Sequence, residues 1–191
     1  CIFRFGKAAG LEIPMGSTLQ RARWIIDIHD REWRDWRCRI ITNWATEMRT
    51  IIKELRPQAL LGLYHCPWDD EDFDGARRRI LGLDYDMLRP VIDVFSPMVY
   101  HARMGREPRW VKDNIEWFCN RLEIKKGEYP KVWPIVQAYD EPYEINADEF
   151  NTVLRGGIIS PASGVMMFTT NAVAENEKKT EVMKRLYDKL R

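Results

Sequence analysis

Two adjacent carboxylic acids are the residues of this sequence best suited to acid/base chemistry. Asp140 and Glu141 follow the apolar stretch KVWPIVQA, which is typical of a buried strand. One carboxyl group can protonate a leaving oxygen while another activates water or attacks a sugar carbon, as glycosidic-bond hydrolysis requires. The alternative is that both acids only cap or solvate the turn at Pro142. We treat Asp140 and Glu141 as candidate catalytic residues.

Other polar and aromatic side chains come where further apolar stretches end. The stretch ALLGLYHCPW ends with His65 and Trp68, and VIDVFSPMVYH ends with Tyr100 and His101. In a parallel sheet or barrel, the carboxyl ends of the strands meet at one edge and build the site there. The residues expected to share this edge are Arg4, Tyr64, His65, Trp68, Asp69, Ser96, Tyr100, His101, Gln137, Tyr139, Asp140, Glu141, Phe168 and Thr169.

These side chains are of the types that hold a sugar. Arg4, His65 and His101 would position sugar hydroxyls, and Gln137 is a further candidate for substrate binding. Trp68 and Tyr139 would form a stacking platform, because flat aromatic rings combine apolar area with a polar edge.

The elements that must position these residues alternate between strand and helix. Apolar stretches predict strands near residues 1–5, 59–68, 91–101, 131–138 and 164–169. Helical spacing predicts helices near residues 30–56, 84–88, 110–122 and 147–154 and at the C-terminus. The first long helix is the clearest, and the apolar residues along one of its faces are Trp36, Ile40, Trp44, Met48, Ile51 and Leu55.

The alternation predicts an α/β fold built from right-handed βαβ units. We interpret it as a partial (β/α)8 TIM barrel with about five strands, each followed by a helix; a complete barrel takes about 250 residues. Residues 1–191 would then be a single glycoside-hydrolase-like barrel domain that lacks its N-terminal strands. An incomplete barrel would leave unpaired edges on its first and last strands. We therefore expect either self-association or a missing N-terminal half of the barrel. An open doubly wound sheet is the competing architecture, although no glycine-rich phosphate loop follows any strand.

Composition limits the partners. The formal net charge is +1, so no nucleic-acid partner is favoured. The apolar stretches are too short to cross a bilayer, so no membrane partner is expected. The four cysteines have no metal-ligand spacing and are expected to be small buried residues, and no cofactor is predicted. The sequence does not indicate a cellular compartment.

Short motifs resemble those of one enzyme class. SPMVYH is similar to the sixth-strand motif of chitinase-like glycoside hydrolases, family 18 and its relatives, in which SPM-x-Y precedes a polar residue. IFRF resembles the fourth strand of related glycoside hydrolases, whose motif reads roughly LDYIRFP, and GVMMFT is similar to their last strand. The resemblance implies a TIM barrel and a carbohydrate substrate. It also implies that Tyr100 lies near the reacting carbon and that Arg4 lines the base of the site.

The acidic DxxDxDxE motif that supplies the acid in family 18 is not found in the sequence. The acid would therefore be Asp140 or Glu141, or would come from upstream sequence, or the protein would bind without cleaving. We expect a glycoside-hydrolase-like protein that acts on O-glycosyl bonds of a poly- or oligosaccharide, with Tyr100 stabilising charge at the sugar.

Two alternatives stay open. A metal-dependent hydrolase or polysaccharide deacetylase would use His65, His101 and Asp140 as ligands, because two imidazoles and a carboxylate form a reasonable divalent-metal set. A non-catalytic carbohydrate-binding barrel would use aromatic side chains alone.

Overall fold

The computed structural model describes residues 1–190 and divides the chain into two compact units. One unit contains Cys1–Pro57 and Trp68–Val91. The other contains Gln58–Pro67 and the chain from Ile92 onward.

The first unit is helical. Its elements are α1 (Ile2–Ala9), α2 (Thr18–Ile28), α3 (Asp30–Leu55), α4 (Asp72–Arg79) and α5 (Tyr85–Leu88). The long helix α3 and the short helix α5 were predicted. Helix α2 was not predicted; it begins at a capping box in which Ser17 and Gln20 each bond the backbone N–H of the other.

The predicted first strand is wrong, because residues 2–9 form helix α1. Phe5 is fully buried, and its ring lies 5.2 Å from that of Trp33 and 5.8 Å from that of Trp36. Gly10 ends the helix in a left-handed conformation. The aromatic contacts with α3 stabilise the helical form, so Arg4 lies on a helix and not at a strand end.

One side of α3 packs within the unit and another remains open. Cys38 and Ala45 are buried, as expected for a helix that packs against its neighbours. The apolar residues of the other stripe, Ile40, Trp44, Met48, Ile51 and Leu55, are exposed.

The second unit contains a five-stranded parallel sheet. Its strands are β1 (Gly62–His65), β2 (Val94–Val99), β3 (Lys131–Val132), β4 (Ile135–Gln137) and β5 (Met166–Phe168). The order is β1-β2-β4-β5, with β3 also paired to β2. The helices of this unit are α6 (Trp110–Arg121), α7 (Ala147–Gly157), α8 (Thr170–Ala174) and α9 (Glu177–Leu190). The prediction of an α/β fold with a parallel sheet is confirmed, and so are four of the five predicted strand positions.

Two sequence features shape the sheet locally. The predicted strand at 131–138 is divided into β3 and β4 at Pro134, which has no N–H to donate to a strand ladder. Asp93 interrupts the apolar run before β2 because its Oδ2 accepts a hydrogen bond of 2.9 Å from the N–H of Leu61.

Helices α6 and α7 pack against the sheet through apolar side chains. Phe118 of α6 stacks on His65 with ring centroids 5.1 Å apart, and Phe95 of β2 contacts both rings. Gly157 at the end of α7 lies so close to β4 that an added Cβ would be 3.1 Å from Val136 Cγ1.

The cysteines agree in part with the expectation that they are small core residues. Cys38 and Cys119 are buried, Cys66 is half-buried and Cys1 is exposed, and all four thiols are free. Burial raises the pKa of the Cys119 thiol to about 12. Within residues 1–190, no helix is both long and apolar enough to cross a membrane.

Candidate functional site

Three aromatic rings meet at the carboxyl ends of β2, β4 and β5. Tyr100 follows β2, Tyr139 follows β4 and Phe168 ends β5. The ring of Tyr100 lies 5.9 Å from that of Phe168 in a stacked arrangement. Tyr139 meets both edge-on, at 5.9 Å and 5.8 Å. These three residues are called the aromatic cluster below.

The strand register explains why these rings meet. Gln137 pairs with Phe168, and Val99 pairs with Val136, so the three strands end at one edge. A cleft of about 300 Å³ lies against one face of the sheet, and its lining residues are Leu60, Gly62, Tyr64, Val94, Ser96, Trp133 and Met166. Phe168 lies two residues beyond Met166 and therefore shares that face. It is 50% exposed, so the cluster presents aromatic surface to solvent.

Arg103 borders the aromatic cluster. It lies in the turn after β2, its side chain is exposed, and its guanidinium lies beside the Tyr139 side chain. Interaction with the Tyr139 side chain, by hydrogen bonding and by charge, raises the pKa of the guanidinium. Burial raises the pKa of Tyr100, and Tyr139 adds to the effect. The cluster thus has one fixed positive charge beside it.

Gln137 joins the two loops that carry the cluster. Its side chain is fully buried and its Oε1 accepts a hydrogen bond of 3.1 Å from the backbone N–H of Arg103. Its Nε2 donates to the carbonyl oxygens of Tyr139, at 3.1 Å, and Glu141. Gln137 was predicted to contact substrate; the structure instead places its amide group within the protein.

Asp140 is held by a buried lysine. Lys179 of α9 is fully buried, and its Nζ lies 2.8 Å from Asp140 Oδ1 and 2.8 Å from the carbonyl oxygen of Ala138. The N–H of Ile145 donates to the same Oδ1 at 2.9 Å. Desolvation alone would raise the pKa of Asp140, but the two hydrogen bonds and the lysine charge outweigh it, so the pKa lies below its usual range.

The two candidate acids therefore differ in their surroundings. Asp140 is ionised and engaged by protein donors, which opposes a role as a general acid. Glu141 has an exposed side chain, and its charge acts on Arg103. Of the two, Glu141 is the carboxylate that is open to a ligand beside the aromatic cluster.

His101 lies in the interior of the protein and not at its surface. It is fully buried, and its Nε2 lies 2.8 Å from Glu149 Oε1, which also accepts a hydrogen bond of 3.0 Å from the Tyr143 hydroxyl. Burial raises the pKa of Tyr143, and the hydrogen bond to Glu149 adds to this effect. His101 Nδ1 is buried without a hydrogen-bond partner among the described residues.

His65 lies on the face of the sheet that α6 covers. It is 2% exposed, its Nδ1 lies 2.8 Å from the carbonyl oxygen of Cys66, and its ring stacks on Phe118. The structure therefore brings Tyr100 and Tyr139 together, but it does not place His65 or His101 on the aromatic surface.

Arg4 and Trp68 belong to the other compact unit. Arg4 is exposed on α1. Trp68 packs against Phe73, with ring centroids 5.0 Å apart.

The metal alternative receives no support from the positions of its expected ligands. His101 contacts Glu149, His65 contacts the carbonyl of Cys66, and Asp140 pairs with Lys179. Across residues 1–190, no three His, Cys, Asp or Glu side chains lie where they could hold a metal ion together.

Sequence reasoning missed two residues that shape this site. Arg103 has a local signal, since it follows directly after the SPMVYH motif. Lys179 also has one, because it lies three and four residues before the apolar Val182 and Met183 and so falls on the buried side of its helix. Phe168 was expected at this edge but was given no role.

Comparison of the sequence with models of known protein families gave no match, and comparison with curated proteins gave none.

Proposed function

We propose that this protein binds a poly- or oligosaccharide at the carboxyl ends of β2, β4 and β5. The aromatic cluster of Tyr100, Tyr139 and Phe168 is the observation that carries the proposal. Aromatic rings with one exposed side offer the apolar surface on which the C–H faces of a sugar ring can stack. Arg103 and Glu141 beside the rings supply the few polar groups that orient a ligand in such a site.

We also propose that the sheet unit belongs to the glycoside-hydrolase-like (β/α)8 class, as the SPMVYH motif suggests. All strand pairs are parallel, and helices follow β2, β4 and β5 along the chain. The position of the aromatic cluster supports this proposal, because barrel enzymes build their sites at the carboxyl ends of the strands. The two outer strands, β1 and β5, would be the edges through which the chain self-associates.

Cleavage of the bound sugar is a second candidate function. It is favoured by the exposed carboxylate of Glu141 beside Arg103, which could act as the general base that activates water. Glycosidases generally use two carboxyl groups, and Asp140 is held by Lys179. Binding is therefore the function that the geometry supports best, and Glu141 is the residue on which cleavage would depend.

Binding is tested on the full chain with a panel of neutral and charged oligosaccharides, using calorimetry. The Tyr100→Ala and Phe168→Ala variants are expected to bind about 10-fold more weakly or worse, because each removes part of the stacking surface. Tyr187→Ala is the matched control, since Tyr187 is 59% exposed on α9. Circular dichroism verifies that each variant is folded. If no sugar binds, or if the cluster variants bind as the control does, the proposal is wrong.

Cleavage is tested separately by searching for products with the wild type, Glu141→Gln and Asp140→Asn. Product formation that stops in Glu141→Gln would support the second candidate. Product from all three proteins would contradict the role of Glu141, and binding without product from any of them would leave binding as the function.

A further inference from the structure

We propose that Arg103 makes the aromatic cluster selective for sugars that carry an anionic group, a carboxylate or a sulfate. This inference rests on the proposed carbohydrate binding and adds the class of sugar. It concerns a residue for which the sequence provided no role.

The backbone places Arg103 at the cluster. Its N–H donates to Gln137 Oε1, and Gln137 is fully buried between the loops. Its guanidinium contacts the Tyr139 side chain, and its charge also interacts with Tyr100. The backbone N–H and the guanidinium of Arg103 thus both keep its positive charge close to the rings.

The guanidinium can still accept a ligand. It has five N–H donors in a planar fork. The side chain is exposed, so an incoming anion does not have to displace a packed neighbour. A guanidinium fork matches a carboxylate or sulfate better than a neutral hydroxyl, because two charge-assisted hydrogen bonds form at once.

The negative charges near Arg103 do not prevent an anion from binding to it. Asp140 is compensated by Lys179 at 2.8 Å. Glu141 is the competing negative charge, but it is exposed, and an ion pair between two exposed side chains contributes little. The loop from Tyr100 to Arg109 carries three arginines and one glutamate, so its own charge is positive. A sugar anion would therefore enter a region of favourable potential.

The test compares anionic sugars with neutral ones. The full chain is titrated with polygalacturonate and with its methyl ester, with hyaluronan and chondroitin sulfate, and with neutral cello- and chito-oligosaccharides. We expect the anionic sugars to bind about 10-fold or more tightly than their neutral counterparts. The preference should weaken as salt rises from about 0.05 M to about 0.5 M. Better binding of the carboxylate or of the sulfate polymers identifies which anion is recognised.

Variants separate the role of Arg103 from the general charge of the loop. Arg103→Gln should abolish the preference for anionic over neutral sugars, and Arg103→Lys should restore the preference in part. Arg109→Gln is the control, because it removes the same charge from the same loop. The Arg109 guanidinium already has a carboxylate partner, since its Nε lies 3.7 Å from Asp113 Oδ2. Equal binding of neutral and anionic sugars, or equal losses in Arg103→Gln and Arg109→Gln, would overturn this inference while leaving the proposed function intact. Absence of binding to every sugar would instead overturn the proposed function.

Discussion

Lys179 and Asp140 form an ion pair that joins helix α9 to the loop after β4. The ammonium group is fully buried and also bonds the carbonyl oxygen of Ala138, whereas the Asp140 side chain is 48% exposed. A buried charge must have a partner, because desolvation is costly. The pair therefore fixes the start of the loop that carries Tyr139 and Glu141.

The ion pair predicts a pH dependence of stability. The pKa of Asp140 is lower in the folded state than its ordinary value of 3.8. A lowered folded pKa stabilises the protein above the unfolded pKa, and this contribution is lost as the pH falls through the folded pKa. We expect Asp140→Asn to lower the free energy of unfolding by about 1–2 kcal/mol at neutral pH, since a half-exposed partner is partly screened. The difference from the wild type should shrink below about pH 4.

Urea unfolding at a series of pH values from about 7 down to about 3 measures this effect. Asp113→Asn is the control, because Asp113 and Arg109 form an exposed pair 3.7 Å apart that should contribute little at any pH. A difference between Asp140→Asn and wild type that stays constant down to the lowest pH would contradict the assigned ion pair.

The buried Gln137 provides a second stability prediction, in which two variants lose different amounts of stability. Gln137→Met removes three hydrogen bonds without adding charge, and should lower the free energy of unfolding by about 1–3 kcal/mol. Gln137→Glu should cost more at neutral pH, because a buried carboxylate would face the carbonyl oxygens of Tyr139 and Glu141. Protonation of that carboxylate restores one donor, so the Glu variant should regain stability as the pH falls.

Thermal unfolding near pH 7 and near pH 5 compares the stabilities of the wild type, Gln137→Met and Gln137→Glu. Gln58→Glu, at an exposed position of the same unit, is the control and should change stability little. If Gln137→Glu is at least as stable as Gln137→Met at neutral pH, the donor role of the amide is wrong.

Much of the sheet unit could be predicted because its signals are local. Apolar stretches of strand length gave the positions of β1, β2, β4 and β5. The parallel arrangement then brought Tyr100 and Tyr139 to the same edge, as expected. Residues 1–5 could not be assigned this way, because a short run with Ile2, Phe3 and Phe5 fits either period, and distant contacts decide between them.

The site was harder to predict because its details depend on side chains that are far apart in the sequence. Lys179 lies 39 residues from Asp140, and no spacing rule connects them. Tyr100 and His101 are neighbours in the sequence, yet only Tyr100 joins the aromatic cluster, because successive residues point in different directions at a strand end. Shared position at a strand end therefore predicts the edge of the sheet but not the surface that a side chain reaches.

The packing of α7 against the sheet predicts that Gly157 does not tolerate a side chain. A Cβ at this position would lie 2.8 Å from Val165 Cγ2 and 3.1 Å from Val136 Cγ1. We expect Gly157→Ala to lower the free energy of unfolding by about 1–3 kcal/mol through overpacking, despite the better helix propensity of alanine. Gly62→Ala is the control, because its Cβ would meet the nearest atom at 3.7 Å, an ordinary contact distance. Chemical denaturation of both variants is the measurement, and equal stability of the two would contradict the close approach of α7 to the sheet.

The helical unit provides its own prediction in Arg77. This side chain is only 4% exposed. Its Nη1 donates a hydrogen bond of 2.9 Å to the carbonyl oxygen of Leu83, and its Nη2 pairs with Asp70. Its guanidinium also lies 3.8 Å from the ring centre of Tyr85. Lysine keeps the charge but cannot make these planar contacts together. Arg77→Lys should therefore lower the free energy of unfolding by about 1–3 kcal/mol, and Arg77→Met by about 3–5 kcal/mol.

Arg39→Met, at an exposed position of α3, is the control. Because all three contacts lie within one compact unit, limited proteolysis should show earlier cleavage in residues 68–91 of the Arg77 variants than in the control. An Arg77→Met protein as stable and as resistant as the control would mean that the buried guanidinium does not hold this segment in place.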